Sequence, residues 1–251
     1  MKRLIVNADD FGRTHGINAG VLESHLAGIV TSATVMVLEP AAEDGISRAI
    51  GQAPRLGMGL HFAVTGGGVP ASDPDRLPTL LVGGRFTRTP ESLPREIPPE
   101  EIRRELDAQI LLFEKLAGRP PSHLDSHHHS ALHPDIQPVF ADVARERGLP
   151  VRASNAEALI ALRAAGVRTP DHFRDGFYGA GVTAENLWTT LTSLPDGTSE
   201  LMCHPGHPDD ELLAGSTYAH ERERELALLC DPELPVLLAR EAIERIDFRN
   251  L

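Results

Sequence analysis

The sequence predicts an α/β protein, a single-domain β/α barrel-like fold that is TIM-like in plan, with a distorted or a seven-stranded barrel as the open variants. Three observations carry that expectation. Short β-rich runs alternate with segments of helical periodicity along the whole chain, which favours a parallel sheet or barrel. The 251 residues suffice to bury one large core, and no linker, repeat or low-complexity tract divides them, so 1–251 is read as one domain. Four polar clusters, NADD, GLHF, DSHHH and MCHP, each close a predicted strand.

RLIVNAD (3–9) is the first β-rich run, and a turn separates it from GINAGVLESHLAGI (16–29), whose apolar positions recur at helical spacing. VTSATVMVL (30–38) is β-branched, PAAEDGISRAIGQA (40–53) is helical with proline at its start, and LGMGLHFAV (56–64) returns to strand. From 65 to 98 the chain is rich in glycine and proline, as in TGGGVPASDPDRLP and ESLPREIPPE, which predicts a long loop or lid. PPEEIRRELDAQILLFEKLAG (98–118) is a helix with acidic residues early and Gly118 near its end. PSHLDSHHH (121–129) reads as strand plus loop, HPDIQPVFADVARERGLP as a helix closed by Gly148, and VRAS as a brief strand. Between 155 and 195 two shorter helical pieces lie around DHFRDGFYG, SELMCHPG (199–206) is a strand ending at a histidine, and ERERELALLCDP and ELPVLLAREAIERI supply closing helices.

Asp and Glu outnumber Lys and Arg 36 to 24, a net charge of -12, so polyanions are repelled and nucleic acid is not an expected partner. No apolar run approaches the roughly 18–20 residues a bilayer span needs, so no membrane partner is expected. The apolar run of MKRLIV stops after Val6, too short for a secretory core, and the expected location is cytoplasmic. Cys203 and Cys230 are too few for a disulfide framework and lack the paired spacing of a structural zinc site.

At the C-terminal face of a β/α barrel, strand ends far apart in sequence converge. Asp9, Asp10, His61, His127 and His204 are therefore expected around one cavity. Two imidazoles and one carboxylate make a three-ligand set that leaves positions for water and substrate. A metal so held polarises a carbonyl and lowers the pKa of bound water towards about 7, and a second carboxylate beside it takes the water's proton. Each residue has a plainer reading when taken alone. The Asp pair suits a solvated turn or helix cap, His61 a hydrogen-bonded core histidine, and His204 a cap before Pro205. Adjacent strand residues alternate faces, so at most His127 and His129 of the histidine run share a side. His15, His25, His172 and His220 read as surface or packing residues. Gly66 to Gly68 lack the Gly-Lys-Ser/Thr ending of a phosphate loop, and no serine sits in a G-x-S-x-G turn.

VNADDFG, GLHF, HLDSHHH and ELMCHPG, in this order over nearly the whole chain, resemble the YdjC-like carbohydrate deacetylase family, whose members include chito-oligosaccharide deacetylases. The resemblance implies a barrel-like fold and a hydrolase that removes N-acetyl groups from amino sugars or short N-acetylated oligosaccharides, releasing acetate. It implies one divalent metal ion, magnesium or zinc with manganese or cobalt as alternatives, held by Asp10, His61 and His127. Asp9 is then the general base, His204 the proton donor to the departing amine, and Arg152 the residue that orients or charge-balances the base. A homodimer is expected on the same ground. Relatives continue the run as HHHVH, whereas this chain reads HHHSALHP: Ala131 stands where a histidine is expected, and either a contact is lost or His133 replaces it. The chemistry needs Asp9 ionised and His204 partly protonated near neutral pH, the latter through a nearby carboxylate.

Two other readings remain. A metal-dependent phosphoesterase also uses Asp and His clusters, but the acidic net charge and the lack of clustered arginine near the motifs count against it. A non-catalytic glycan-binding barrel is disfavoured by intact Asp9 and His204 and by a chain with only eight Phe, two Tyr and one Trp to stack on sugars.

Overall fold

The computed structural model covers residues 1–251. Its strands are β1 (Lys2–Phe11), β2 (Ser32–Val35), β3 (Gly57–Phe62), β4 (Leu81–Val82), β5 (Arg85–Phe86), β6 (Leu124–Ser126), β7 (His172–Arg174), β8 (Gly197–Cys203) and β9 (Ile243–Arg245). Its helices are α1 (His15–Leu26), α2 (Ala42–Gln52), α3 (Pro99–Ala117), α4 (Ile136–Arg147), α5 (Ala156–Ala164), α6 (Ala184–Thr192), α7 (Asp210–Gly215), α8 (His220–Leu229) and α9 (Glu233–Arg240).

Seven strands form one parallel sheet in the order β6-β3-β2-β1-β8-β7, with β9 added beside the start of β1. β1 is buried from Leu4 to its end, as a strand with cover on both faces must be, which is why Leu4, Ile5 and Val6 are apolar without alternation before the polar Asn7, Asp9 and Asp10 of the site. A single bridge from Leu124 to Val151 extends the sheet past β6, but β6 and β7 do not pair. The result is a curled, incompletely closed barrel, the distorted seven-stranded variant of the expected fold. One cluster of 55 buried apolar residues draws on all nine helices and the sheet, so strands and cover share a core. No helix is long and apolar enough to cross a membrane.

Local signals place the helices. The Thr14 hydroxyl accepts from Ile17 N–H to start α1, and Gly118 and Gly148 take left-handed backbone to end α3 and α4. Several features differ from the sequence expectation. The VRAS strand shrinks to the Val151 bridge, while β7, α7 and β9 arise where none was predicted. The glycine- and proline-rich segment 65–98 contains the β4–β5 hairpin and is tied down. On α3, buried Glu105 accepts from the Ala71 and Ser72 amides at 2.9 and 3.0 Å, and buried Glu101 accepts from the Thr79 and Leu80 amides at 3.0 and 3.1 Å. With Gln109 bonded to both backbone groups of Ala63, these side chains recur every four residues and so share one helix face.

Candidate metal centre

The site lies at the C-terminal ends of the parallel strands, where β1, β3 and β8 and the turn after β6 converge on a cavity of about 710 Å³. On a regular strand, Asp9 and Asp10 would face opposite sides. Instead, Ala8 pairs with Ala33 and Phe11 with Val35, so two residues of β1 oppose the single Thr34 of β2. Asp10 sits in this bulge with φ 65°, in the left-handed region that side chains seldom adopt, and both carboxylates line the cavity. Gly12 follows with φ 92°, and a Cβ there would come within 2.9 Å of the Ala42 backbone, so only glycine lets the chain turn under α2.

Asp10, His61 and His127 are all buried and offer ligand atoms within 4.8 Å of one another. Asp10 Oδ1 lies 3.1 Å from His127 Nδ1 and 3.4 Å from His61 Nε2, and the two ring nitrogens are 3.3 Å apart. Those separations suit an ion with ligand bonds of about 2.0–2.1 Å, whose neighbouring ligands stand about 3–3.4 Å apart. The cluster also favours positive charge. Burial alone would lower the His61 pKa, but Asp125 and Asp10 push it up to about 10. His61 Nδ1 bonds Asp125 Oδ1 at 2.6 Å, the carboxylate-histidine support that orients metal-binding imidazoles, and it leaves Nε2 to face Asp10 and His127. Donor set, spacing and support thus fit one divalent cation. A second acidic group, Asp9, His61 and Asp125, differs because a guanidinium already fills it.

That guanidinium belongs to Arg152, which follows the Val151 bridge. Its Nη2 donates to Asp9 Oδ1 at 2.6 Å, Nη1 to Asp9 Oδ2 at 2.7 Å, and Nε to Glu200 Oε1 at 2.7 Å. Burial would raise the Asp9 carboxyl, but Arg152 overrides it and holds Asp9 well below the usual carboxylate range. Asp10 is likewise held low against burial, by Arg222 and His127.

His204 stands just beyond β8, with Nε2 3.9 Å from Asp9 Oδ2 and Nδ1 3.9 Å from Glu225 Oε1. The expected protonating carboxylate therefore falls outside hydrogen-bond reach. Burial pushes the imidazole pKa down to about 4, assisted by Arg222 and opposed by Asp9, so the resting ring is neutral at pH 7 and the expectation of a partly protonated ring is corrected.

The histidine run is not a strand. His128 and His129 have φ 53° and 52°, and residues His127–Leu132 form a tight helical turn, so strand alternation does not apply. His127 enters the centre, while His128 bonds Thr65 Oγ1 at 3.1 Å and His129 bonds Ser154 Oγ at 3.2 Å. His133 does not replace the histidine expected at Ala131, since its Nε2 bonds the Pro94 carbonyl at 3.0 Å.

Several site residues carry no local sequence signal. Arg222, 2% exposed, grips Asp10 Oδ2, and Arg13 and Arg88 join it at the cavity wall, which corrects the expectation that no arginines gather near the motifs. Both tyrosines are here as well. Tyr178 and Tyr218 stack at 4.3 Å beside His204, so the scarcity of aromatic rings in the composition hid their concentration at one place.

A model of the YdjC-like protein family matches residues 3–240. A carbohydrate deacetylase of Geobacillus stearothermophilus is 40% identical over 98% of this chain and 96% of its own length. A chitooligosaccharide deacetylase of Serratia marcescens is 36% identical over 100% and 99%. Among solved structures, an Enterococcus faecalis V583 protein provisionally described as a cellobiose-phosphate cleavage protein superposes with TM-score 0.93 at 31% identity, over 99% of this chain and 98% of that one. A family 4 acetyl xylan esterase of Clostridium thermocellum shares the fold, with TM-score 0.52 at 14% identity over 99% and 89%.

Proposed function

The chain belongs to the YdjC-like protein family, and from that membership and the cavity's chemistry we propose that it is a metal-dependent carbohydrate N-deacetylase, hydrolysing the acetamide of an amino sugar or short N-acetylated oligosaccharide to acetate and free amine. The observation that carries this reading is the convergence of one carboxylate and two imidazoles within 4.8 Å, beside a second carboxylate locked in an arginine fork. Asp10, His61 and His127 are the proposed ligands. Their mixed oxygen and nitrogen donors suit zinc or magnesium, with manganese and cobalt as alternatives, because availability and geometry decide among them. When bound, the cation polarises the acetyl carbonyl and acidifies water.

Asp9 is the proposed base. Arg152 keeps it ionised and points it, so the carboxylate accepts a proton as water adds to the carbonyl carbon. His204, neutral at rest and 3.9 Å from Asp9, is suited to receive that proton and deliver it to nitrogen as the C–N bond breaks. A ring that holds its proton weakly is a strong acid once protonated. The Tyr178–Tyr218 stack supplies an apolar face of the kind sugar rings use.

Within this reading the chain works as one domain, and the 65–98 segment serves as a cavity wall that selects substrate through Gly66, Arg88 and Thr89. A cytoplasmic homodimer is the proposed setting. The test is a metal-supplemented incubation with N-acetylated mono-, di- and trisaccharides read by mass spectrometry, where the expected product has lost one acetyl group. Arg13, Arg88 and Arg222 would also suit a phosphoryl group, so phosphate release from simple esters is measured in parallel; phosphate without acetate would transfer the cavity to the phosphoesterase reading.

A further inference from the structure

We propose that Glu225 is a positioning residue for His204, acting on its backbone amide and on the Nδ1 edge of its ring, an inference that rests on the deacetylase reading of the cavity. Glu225 lies on α8 and is wholly buried. Its two oxygens serve two donors, the His204 backbone N–H at Oε2 and the Tyr218 hydroxyl at Oε1. Oε1 also faces His204 Nδ1 at 3.9 Å, and Nδ1 is buried with no hydrogen-bond partner of its own. A buried polar atom left without a partner has a free-energy cost, and the group that faces it on that edge is the Glu225 carboxyl.

The backbone bond sets where the chain leaving β8 carries the imidazole, and so holds Nε2 at 3.9 Å from Asp9. Through Tyr218 the same carboxylate anchors the aromatic stack that borders His204. Arg222 sits one turn earlier on the same helix face and grips Asp10. A single turn of α8 therefore braces both the imidazole and a proposed metal-binding carboxylate.

Full-length Glu225→Gln and Glu225→Ala proteins loaded with zinc test this. Glutamine is near-isosteric, retains a carbonyl for the His204 amide, and can donate to a Tyr218 hydroxyl that has turned to accept, but it aims an N–H at Nδ1. In that variant kcat for acetate release from an N-acetylglucosamine oligomer should fall by about 10-fold or more with KM and bound zinc unchanged. Hydrolysis of p-nitrophenyl acetate, whose leaving group needs no proton, should fall by less than about threefold, and Glu225→Gln should add nothing to the loss in a His204→Ala background. Equal losses on both substrates, or additive losses with His204→Ala, would overturn the proposal. Histidine-selective 15N spectra give a readout independent of turnover: in Glu225→Gln and Glu225→Ala the His204 ring signals should shift while those of His61 and His127 stay. Unmoved His204 signals overturn the placement. Failure of the wild-type protein to release acetate from any N-acetylated sugar would instead remove the deacetylase reading, and the spectra would still decide for or against Glu225.

Discussion

Asp9 and Asp10 are neighbours in sequence with opposite partners, Arg152 for the first and Arg222 with two imidazoles for the second. Separate roles predict separable losses. Asp9→Asn removes the proposed proton acceptor without touching the proposed ligands, so turnover should fall by about 10²–10⁴ while bound metal, measured by elemental analysis, stays at the wild-type ratio. His127→Ala deletes a proposed ligand atom, and metal and acetate release should disappear together; a variant that kept its metal would exclude His127 from the centre. The gathering of Asp9, Asp10, His61, His127 and His204 around one cavity was legible because each lies at or just past a strand end in a recognisable cluster. Arg222 and Glu225 were not. In ERERELALL they look like a solvated helix face, and only the approach of α8 to the strand ends turns two of those charges inward.

At the scale of elements, α3 and the 65–98 segment behave as one unit. Glu101 and Glu105 accept from four loop amides, of which those of Ala71, Ser72 and Thr79 are half-buried, and removing a charged acceptor from such donors costs about 1 kcal/mol, the lower end of the range for fully buried ones. Glu105→Ala should therefore lower stability by about that amount and raise amide hydrogen exchange at Ala71 and Ser72 well before it affects β1. Unchanged protection there would show that the hairpin and packing hold the segment without Glu105. Glycine and proline correctly marked the segment as irregular. They carried no information about its anchoring, because acidic residues four apart on a helix read equally well as a water-facing stripe.

Across the whole molecule, the buried polar layer makes stability depend on pH. His123 lies under the site, its Nε2 3.0 Å from Asn7 Oδ1 and its ring stacked at 3.7 Å on Phe248, and burial pushes its pKa down to about 3. The unfolded histidine binds a proton below about 6.5 and the folded one does not until about 3. Its contribution is thus fully present above about pH 6.5 and is lost as pH falls through that window, at up to about 1.4 kcal/mol per pH unit. His123→Gln should cost most at pH 8, and urea titrations should show the gap to wild type narrowing towards pH 4. A gap independent of pH would mean that the buried imidazole is not held neutral.

Local pattern was enough for the parallel α/β plan and for the strand ends that bear chemistry, because each depends on periodicity or on a residue type at the end of a strand; the choice of Asp10, His61 and His127 among the five clustered residues came from family resemblance. Only the tertiary structure decided that the barrel stays open, that a bulge turns Asp9 and Asp10 to the same cavity, that the histidine run is a left-handed turn, and that α8 delivers Arg222 and Glu225. Those outcomes depend on contacts between segments up to 212 residues apart, as in the pair of Asp10 and Arg222, where burial changes what a charge does and no local pattern records it.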